Sequence, residues 1–282
     1  MTSRSTLHDL STEFHRLHAP GAGVPLVLPN AWDVMSARLI EEAGASAIAT
    51  TSAGVAWALG RPDGEVVTRD QMIEVVRRIA SAVHLPVTAD VEGGYGVGTP
   101  RDVAETVRRV IDAGAAGINL EDGSRGDDLY ATSEQVERIA AARSAAAAEE
   151  VPLFINARID VYLRGVGSDA ERLDLTVERA RAYVAAGADG IFVPGVVDGE
   201  TIRQLVPAVG APLNVMAGQG SPGIGELHEM GVVRVSVGPA IALTVMAEIR
   251  RASVELLRHG SYGALRDRME YTEANALFAQ IG

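Results

Sequence analysis

The sequence of 282 residues contains no cysteine and no lysine. The absence of cysteine excludes disulfide bonds, thiolate metal ligands and a cysteine nucleophile. Because all 25 basic residues are arginines, a Schiff-base lysine is also excluded, and with it the class I aldolases and the pyridoxal-phosphate enzymes. The lysine of a P-loop is missing for the same reason.

Long apolar runs are also missing. The longest uncharged run, residues 43–60, is interrupted by Gly, Ser and Thr, and it predicts a strand and a loop, not a membrane span. Residues 1–18 lack the apolar core of a signal peptide. The formal net charge of −12, with acids and arginines interspersed, argues against a nucleic-acid or anionic-membrane partner. We therefore expect a cytoplasmic protein that acts on a small molecule.

The composition, with 47% hydrophobic residues, is that of an ordinary globular protein. Short runs of β-forming residues alternate along the chain with amphipathic runs that have helical spacing. Thr99 followed by Pro100 is a typical helix start, and Gly44 is a typical helix stop. The predicted strands are 24–31, 46–54, 85–94, 115–122, 151–160, 189–196, 211–218 and 232–239. The predicted helices are 33–44, 68–83, 99–114, 132–150, 171–187, 199–209, 223–231, 240–260 and about 262–280.

Repeated strand–helix units imply parallel strands, and eight such units imply a closed (β/α)8 barrel of the TIM type. A doubly wound α/β sheet is the alternative, but it usually has fewer units. No linker or low-complexity segment divides the chain. We therefore predict one α/β barrel domain, residues 1–282, with additional helices at both ends.

Polar side chains cluster where the predicted strands end, which in such a barrel is the catalytic edge. The strand-end polar residues are Asp33, the stretch TTSAG (50–54), Asp90, Glu92, Asn119, Glu121, Asp122, Asn156, Arg158, Asp160 and Asn214.

Asp90 and Glu92 are two residues apart, so along a strand they share one face, as do Asn119 and Glu121. Several acids at one barrel mouth repel each other, and either some are protonated or a divalent cation compensates them. Oxygen ligands without Cys or a strand-end His suit Mg²⁺ or Mn²⁺ better than zinc. The alternative is that these acids pair with arginines of the helical layer or cap the following helices.

Arg158 and two loops are less specific signals of function. Arg158 is either the counter-ion of the acids or a residue that binds a substrate carboxylate through two N–H groups of its guanidinium. The segment 51–54 offers hydroxyl and N–H donors for a carboxylate, and the stretch GQGSPG (218–223) is either a phosphate loop or a plain turn. We assign no catalytic role to any of the six histidines.

Five stretches in order, LPNAWDVMSARLIEEAG, TTSAGVAWALGRPDGE, TADVEGGYG, INLED and NARID, resemble the isocitrate lyase / phosphoenolpyruvate mutase superfamily. The resemblance runs from about residue 25 to residue 240. It implies that Asp90 binds Mg²⁺ directly and that Glu92 and Glu121 bind the ion directly or through water. It also implies a homo-oligomer, a dimer or a tetramer, in which the C-terminal helices of about 240–282 are exchanged between subunits.

The resemblance also implies how a substrate is held. Asp63, in the stretch GRPDGE, matches the family's acid on the loop after the second strand. Arg158 binds a carboxylate or an enolate oxygen. The implied substrate contacts are Ser52, Ala53, Gly54, Arg158 and Asn214.

The sequence departs from the family where the lyases carry a lid motif, KKCGH or KRCGH. The corresponding stretch, EDGSRGDDLYATSEQ, has no Lys, Cys or His, and the lysine and asparagine of the mutase lid are missing too. Asp127 and Asp128 stand in this region instead, and Gly195 replaces a lyase glutamate. The metal and enolate part of the site is thus retained, while the part that selects the bond is replaced.

These observations predict a Mg²⁺-dependent lyase that acts on a small 2-oxo or 2-hydroxy di- or tricarboxylate through an enolate. Methylisocitrate-lyase-like C–C cleavage and oxaloacetate-type decarboxylation both fall within this prediction. Asp63, Arg158 and Tyr95 are the candidate catalytic residues, with Tyr95 or a lid acid as the base. The alternatives are P–C chemistry on phosphonopyruvate and a barrel that binds a metabolite without turnover.

Overall fold

The computed structural model describes residues 4–19, 24–123, 126 and 128–279. Parallel strands form the barrel, in the order β1-β9-β8-β7-β6-β5-β4-β3-β2. The first barrel strand is split at Pro29 into β1 (Leu26–Leu28), which pairs with β9, and β2 (Asn30–Ala31), which pairs with β3. Because proline has no N–H to donate to a strand ladder, the strand is interrupted at this residue. Its two segments pair with the strands on either side and together close the barrel.

The remaining strands each lie inside a predicted strand. They are β3 (Ile48–Thr50), β4 (Val87–Asp90), β5 (Gly117–Glu121), β6 (Phe154–Arg158), β7 (Gly190–Val193), β8 (Leu213–Met216) and β9 (Arg234–Ser236). The predicted (β/α)8 barrel is confirmed, and its strand order follows the chain order.

Helices surround the strands and extend beyond them at both ends of the chain. They are α1 (Arg4–Leu17), α2 (Val34–Glu42), α3 (Ser52–Ala58), α4 (Arg69–Ala82), α5 (Pro100–Asp112), α6 (Thr132–Ala148), α7 (Arg172–Ala185), α8 (Gly199–Ala208), α9 (Ile224–Glu229), α10 (Ala240–Val254) and α11 (Tyr271–Phe278). A π-helical turn, Glu255–His259, continues α10, and a 3₁₀ turn, Gly263–Leu265, precedes α11. The predicted helix over 262–280 is therefore broken in two. No helix in the described ranges has the length and apolar character that a membrane crossing requires.

The predicted strand over 46–54 is wrong in its second half, where the chain forms α3. Thr51 ends the strand and caps this helix, because its hydroxyl accepts the N–H of Gly54 at 3.5 Å. A Cβ on Gly54 would lie 2.8 Å from the Thr51 methyl group and 2.9 Å from Cβ of Trp32. Glycine is thus needed here for close packing of α3 on the first strand.

The predicted strand over 85–94 is also too long, since β4 ends at Asp90. Glu92 has a φ of 50° and Tyr95 a φ of 62°, both in the left-handed region. The chain therefore turns sharply after Asp90. This turn decides where the second acid of the pair lies.

Helix α1 covers the amino-terminal end of the barrel. The Phe14 ring meets the Phe154 ring edge-on at 5.5 Å between centroids, and His18 stacks on Phe154 at 3.9 Å. Phe14 is fully buried, and a Cβ on Gly117 would lie 2.7 Å from its ring. One end of the barrel is thus sealed by aromatic packing, which leaves the carboxyl end for chemistry.

Candidate active site

A cavity of about 230 Å³ opens at the carboxyl ends of the strands. The predicted site residues that line it are Ser52, Ala53, Asp63, Asp90 and Arg158. The structure therefore brings together residues from β4, β6, α3 and the loop after α3, as expected for the catalytic edge of such a barrel. Gly54 lies one position farther along α3 and is buried.

Asp90 is the last residue of β4, and its carboxylate is held by Ser52. The Ser52 hydroxyl donates to Asp90 Oδ2 at 2.8 Å, and the Ser52 N–H donates to the same oxygen at 3.2 Å. The Asp90 N–H donates to the Thr50 hydroxyl at 2.8 Å. The donors that sequence reasoning assigned to a substrate carboxylate thus bind a carboxylate of the protein.

Asp63 faces Asp90 and Arg158 from the loop after α3. Burial raises its pKa, and the neighbouring charge of Asp90 raises it further, while an N–H bond from Gly64 and the charge of Arg158 oppose the shift. An acid whose pKa is raised above the ordinary value of aspartate is better suited to take a proton from a substrate.

Glu92 lines a second, smaller cavity of about 110 Å³, with Glu65, Glu121 and Arg164 also on its wall. The prediction that Asp90 and Glu92 share a strand face was wrong, because the chain leaves the strand between them. The Glu92 carboxylate accepts the Glu65 N–H at 2.6 Å and the Tyr95 hydroxyl at 3.0 Å.

Burial, together with repulsion from neighbouring acids, raises the pKa of Glu92 and of Glu121. Burial raises the pKa of Glu92 to about 7, with a further contribution from Asp90. Burial also raises the pKa of Glu121, and repulsion from Asp160, Asp90 and Glu92 adds to the effect, while Arg158 opposes it. Negative charge at this edge of the barrel is therefore only partly compensated by the protein.

Arg158 ends β6 and bridges two acids. Its Nη1 lies 2.6 Å from Glu121 Oε2, and its Nε and Nη2 donate to the two oxygens of Asp160 at 2.7 and 3.1 Å. Burial lowers the pKa of Arg158, but Glu121, Asp160 and Asp90 raise it by more, so the guanidinium stays charged. Arg158 is thus a counter-ion that also lines the cavity.

Tyr95 and Asn214 lie outside the lining of these two cavities. Burial and the charge of Glu92 raise the pKa of Tyr95 well above its usual value. Asn214 is 1% exposed; it accepts an N–H from Asn156 at 3.1 Å and donates to Val215 O at 2.9 Å. Tyr95 is therefore a hydrogen-bond donor to Glu92. Asn214 lies in the interior of the barrel.

The segment that replaces the lid is only partly described. Asp127 lies outside the described residues. The backbone oxygen of Asp128 accepts an N–H of Arg164 at 3.2 Å. In the stretch 218–223 the Gly218 N–H donates to the Ser221 hydroxyl at 3.0 Å, which forms a turn.

Sequence reasoning missed three residues at or near the site. Asn30 and Ser236 line the cavity from the first and last strands. Arg234 is fully buried in the barrel, where burial lowers its pKa to about 9 and Asp90 opposes the shift. Its Nη2 donates to the Asn119 side chain at 3.1 Å. A lone arginine inside the strand VVRVSV was the available signal, because an isolated charge among β-type residues points to a buried partner.

Within the described ranges, no three carboxylate or imidazole groups converge closely enough to bind a metal ion by themselves. The donor set is nevertheless all-oxygen and carries excess negative charge, which suits a hard divalent cation. Mg²⁺ usually takes one or two carboxylates and completes its shell with water and substrate oxygens. The residues present therefore fit such an ion together with a substrate.

A family model described as phosphoenolpyruvate phosphomutase matches residues 14–257. The chain belongs to this family. The crystal structure of 2,3-dimethylmalate lyase, described as a member of the PEP mutase/isocitrate lyase superfamily, superimposes with a TM-score of 0.83 at 29% identity, covering 95% of this chain and 94% of that one. The resemblance inferred from the sequence motifs is thus confirmed, and this family member is an enzyme of the lyase and mutase superfamily.

Two further relatives are more similar in sequence. A candidate lyase/mutase of Burkholderia cenocepacia J2315 superimposes with a TM-score of 0.90 at 39% identity, covering 98% of this chain and 97% of that one. The 2-methylisocitrate lyase of Escherichia coli is 34% identical over 215 residues, which are 70% of this chain and 69% of that protein. The family thus includes both lyases and mutases.

Proposed function

We propose that this protein is a Mg²⁺-dependent lyase that cleaves a bond of a small 2-oxo or 2-hydroxy di- or tricarboxylate through an enolate. The observation that carries the proposal is the cavity in which Asp63, Asp90 and Arg158 meet. An acid with a raised pKa, a strand-end carboxylate and a permanent cation are the groups that enolate chemistry requires.

In this proposal Asp90 would be the direct ligand of Mg²⁺ or Mn²⁺, and Glu92 and Glu121 would bind the ion directly or through water. The ion, when bound, supplies a Lewis acid that offsets the negative charge developing on the substrate oxygen. The Ser52 hydroxyl and N–H would be the donors to a substrate carboxylate, in exchange for their bonds to Asp90. Arg158 supplies a fixed positive charge to an oxygen of the substrate, and Glu121 and Asp160 hold its guanidinium in place.

Asp63 is the proposed proton carrier. It lines the same cavity as Asp90 and Arg158, and its raised pKa lets it take a proton from a substrate hydroxyl or return one to the enolate carbon. Tyr95 assists indirectly, because its hydroxyl holds Glu92. The relatives named for 2-methylisocitrate and 2,3-dimethylmalate favour C–C cleavage as the reaction.

The test is an assay of the purified protein with Mg²⁺ against oxaloacetate, methylisocitrate and phosphonopyruvate, beside Asp90→Ala. We expect turnover of one of the first two and its loss in Asp90→Ala. Turnover of phosphonopyruvate alone would favour the mutase-type alternative, which the name of the family model supports. No turnover, together with a higher melting temperature in the presence of a dicarboxylate, would favour a binding protein. Unchanged activity in Asp90→Ala would contradict the metal assignment.

We also propose that the protein is a homo-oligomer, a dimer or a tetramer, with the C-terminal helices at the subunit interface. Helix α10 exposes Leu243 and Met246, each at 48%, and Ile249 at 62%. A row of exposed apolar side chains on one helix is typical of an interface. Light scattering coupled to size-exclusion chromatography tests this, and a monomer at micromolar concentration would contradict it.

A further inference from the structure

Arg234 lies inside the barrel, between the aromatic seal at one end and the cavity at the other. Its guanidinium carbon lies 5.8 Å from the centre of the Phe14 ring, and its Nη2 donates to Asn119 at 3.1 Å. Its Nε and Nη1 are buried and find no acceptor among the described residues. A buried cation with unbonded donors is costly. An arginine whose only role was to stabilise the fold would have these groups bonded, so the single bond to Asn119 is the informative one.

The Arg234 guanidinium decides which way the Asn119 side chain faces. A guanidinium has donors only, so the Asn119 atom that faces it is the oxygen, Oδ1. The same oxygen accepts Nδ2 of Asn156 at 2.9 Å. Both bonds reach Oδ1 from inside the barrel, and Nδ2 of Asn119 is therefore turned away from the barrel interior.

The orientation of Asn156 is set independently, through Asn214. Nδ2 of Asn214 donates to the backbone oxygens of Val215 and Arg234 at 2.9 and 3.2 Å, and a carbonyl oxygen can only accept. Oδ1 of Asn214 therefore faces Asn156, whose Nδ2 donates to it at 3.1 Å. Both ends of this row of three amides thus give the same orientation, with Nδ2 of Asn156 directed at Asn119.

Asn119 is part of the cavity lining, and it pairs in register with Asp90 on the neighbouring strand. The side-chain hydrogen bonds of Asn119 within the described ranges are the two that its oxygen accepts. Its Nδ2 is therefore a donor left for a ligand, beside the carboxylate that we assign to the metal ion. Asn30 and Ser52 line the same cavity, but each already donates to an acceptor of the protein.

Thr51 and Ser236 also place hydroxyl groups on the cavity lining. A hydroxyl rotates and can donate or accept, so it does not distinguish one kind of ligand atom from another. Nδ2 of Asn119 can only donate. It therefore selects a ligand oxygen that carries lone pairs, as in a 2-oxo group, an enolate or a carboxylate.

We propose that Arg234 is a positioning residue, which holds Asn119 Oδ1 from inside the barrel so that Asn119 donates its Nδ2–H to a substrate oxygen beside Asp90. This rests on the proposed lyase function and deepens it, because negative charge develops on such an oxygen as an enolate forms. A cation that donates to the amide oxygen also polarises the amide and strengthens its N–H as a donor.

The test measures the binding of oxalate in the presence of Mg²⁺ by calorimetry. Oxalate is a small planar dianion like the enolate of a 2-oxo acid, and its binding does not depend on turnover. Asn119→Asp keeps an oxygen for Arg234 and Asn156 but presents an oxygen to the cavity instead of an N–H. We expect it to weaken oxalate binding about a hundredfold. Mg²⁺ alone should bind at least as tightly, since the change adds negative charge beside Asp90.

Two variants of Arg234 test its role through Asn119. Arg234→Met removes the donor and should weaken oxalate binding about tenfold, while Arg234→Lys keeps a cationic donor and should recover most of that loss. Thr88→Val is the matched control. Thr88 also lies buried inside the barrel, its hydroxyl has no partner among the described residues, and it is not part of the cavity lining. It should leave oxalate binding unchanged.

The melting temperature separates positioning from a structural role. Replacing a buried, poorly bonded cation by an apolar side chain of similar size is often neutral or stabilising, so the melting temperature of Arg234→Met should hold or rise while oxalate binding falls. A lower melting temperature with unchanged oxalate binding would show that Arg234 is structural, and it would overturn the proposal. If Arg234→Met does not fold, the comparison of Arg234→Lys and Asn119→Asp with the unmodified protein decides.

The outcomes also distinguish this inference from the proposed function. Unchanged oxalate binding in Asn119→Asp, with turnover by the unmodified protein, would overturn the donor and leave the lyase proposal standing. Weaker binding in Asn119→Asp, without turnover of any substrate by the unmodified protein, would uphold the donor and contradict the lyase proposal. An unmodified protein that does not bind oxalate with Mg²⁺ would overturn the donor.

Discussion

Asp122 and Asp90 end neighbouring strands of the same barrel, and both are buried, at 0% and 9% exposure. The carboxylate of Asp122 accepts the Asp160 N–H at 2.9 Å, the Tyr183 hydroxyl at 2.9 Å and Nη1 of Arg179 at 3.1 Å. Within the described part of the chain, the donors to the Asp90 carboxylate are the hydroxyl and N–H of Ser52, and Asp90 faces the cavity. Burial is therefore no guide to the role of a strand-end acid.

The partners make the difference between these two aspartates. Three donors, one from the loop after β6 and two from α7, bind the Asp122 carboxylate, so Asp122 joins a strand end to the helical layer. Asp90 uses one of its two oxygens for Ser52, and a ligand can compete for that bond. Acids of the first kind stabilise the scaffold, and acids of the second kind are available for chemistry.

The largest expected effect is on activity and comes from Asp90→Asn. The amide can still accept the Ser52 donors, but it removes the negative charge that a cation needs. We expect kcat/KM to fall by a factor on the order of 10³, typical of losing a main electrostatic group. The melting temperature should hold or rise, since repulsion with Glu92 and Asp63 is relieved. A loss of stability as large as that expected for Asp122→Ala would show instead that Asp90 is a structural residue like Asp122.

Asp122→Ala should act mainly on stability. It removes the only carboxylate paired with Arg179 among the described residues, although the guanidinium keeps Tyr130 O and the Tyr183 hydroxyl, and it leaves the Asp160 N–H without its acceptor. Removing one member of a buried ion pair costs about 3 kcal/mol or more. Urea denaturation measures the loss in the free energy of unfolding. Asp198→Ala, which removes an exposed cap of α8, is the control and should cost about 1 kcal/mol. Equal losses in the two variants would contradict the structural role of Asp122.

The smallest effect concerns the end of the barrel opposite the candidate active site, where His18 stacks on Phe154. Burial lowers the pKa of His18 to about 3, and the nearby charge of Arg234 also lowers it. Between pH 3 and about 6.5 the unfolded chain therefore binds a proton that the folded chain does not, and stability falls as the pH falls through this window. At pH 5 the loss from this residue is about 2 kcal/mol.

His18→Phe should flatten the dependence of stability on pH in that window, because phenylalanine keeps the stacking on Phe154 and cannot be protonated. The Nδ1 bond to Phe14 O is lost, so stability at pH 7.5 should drop slightly. His84→Gln is the control, as the His84 side chain is 80% exposed. Unfolding measured at pH 5 and pH 7.5 gives the slope, and a slope unchanged by His18→Phe would contradict the buried neutral histidine.

Most of the barrel follows from local pattern. Each observed strand lies within a predicted one, because alternating β-type and amphipathic runs report burial directly. The predicted strands are wrong where a single residue ends the observed strand. Thr51 caps α3 where a strand was predicted, and the left-handed φ of Glu92 takes it out of β4. Such choices depend on contacts with distant residues, here Trp32 and Glu65.

The sequence by itself determined the (β/α)8 fold, the superfamily, and the acids and arginine that meet at the carboxyl edge of the barrel. It did so because the period of hydrophobic residues and the motifs at strand ends are local properties of the chain. Only the tertiary structure decided which acids face the cavity, that Asn214 lies inside the barrel, and that Gly195 lies against the backbone of Leu163. These depend on which groups the fold brings within a few ångströms, and sequence spacing carries no record of such distances.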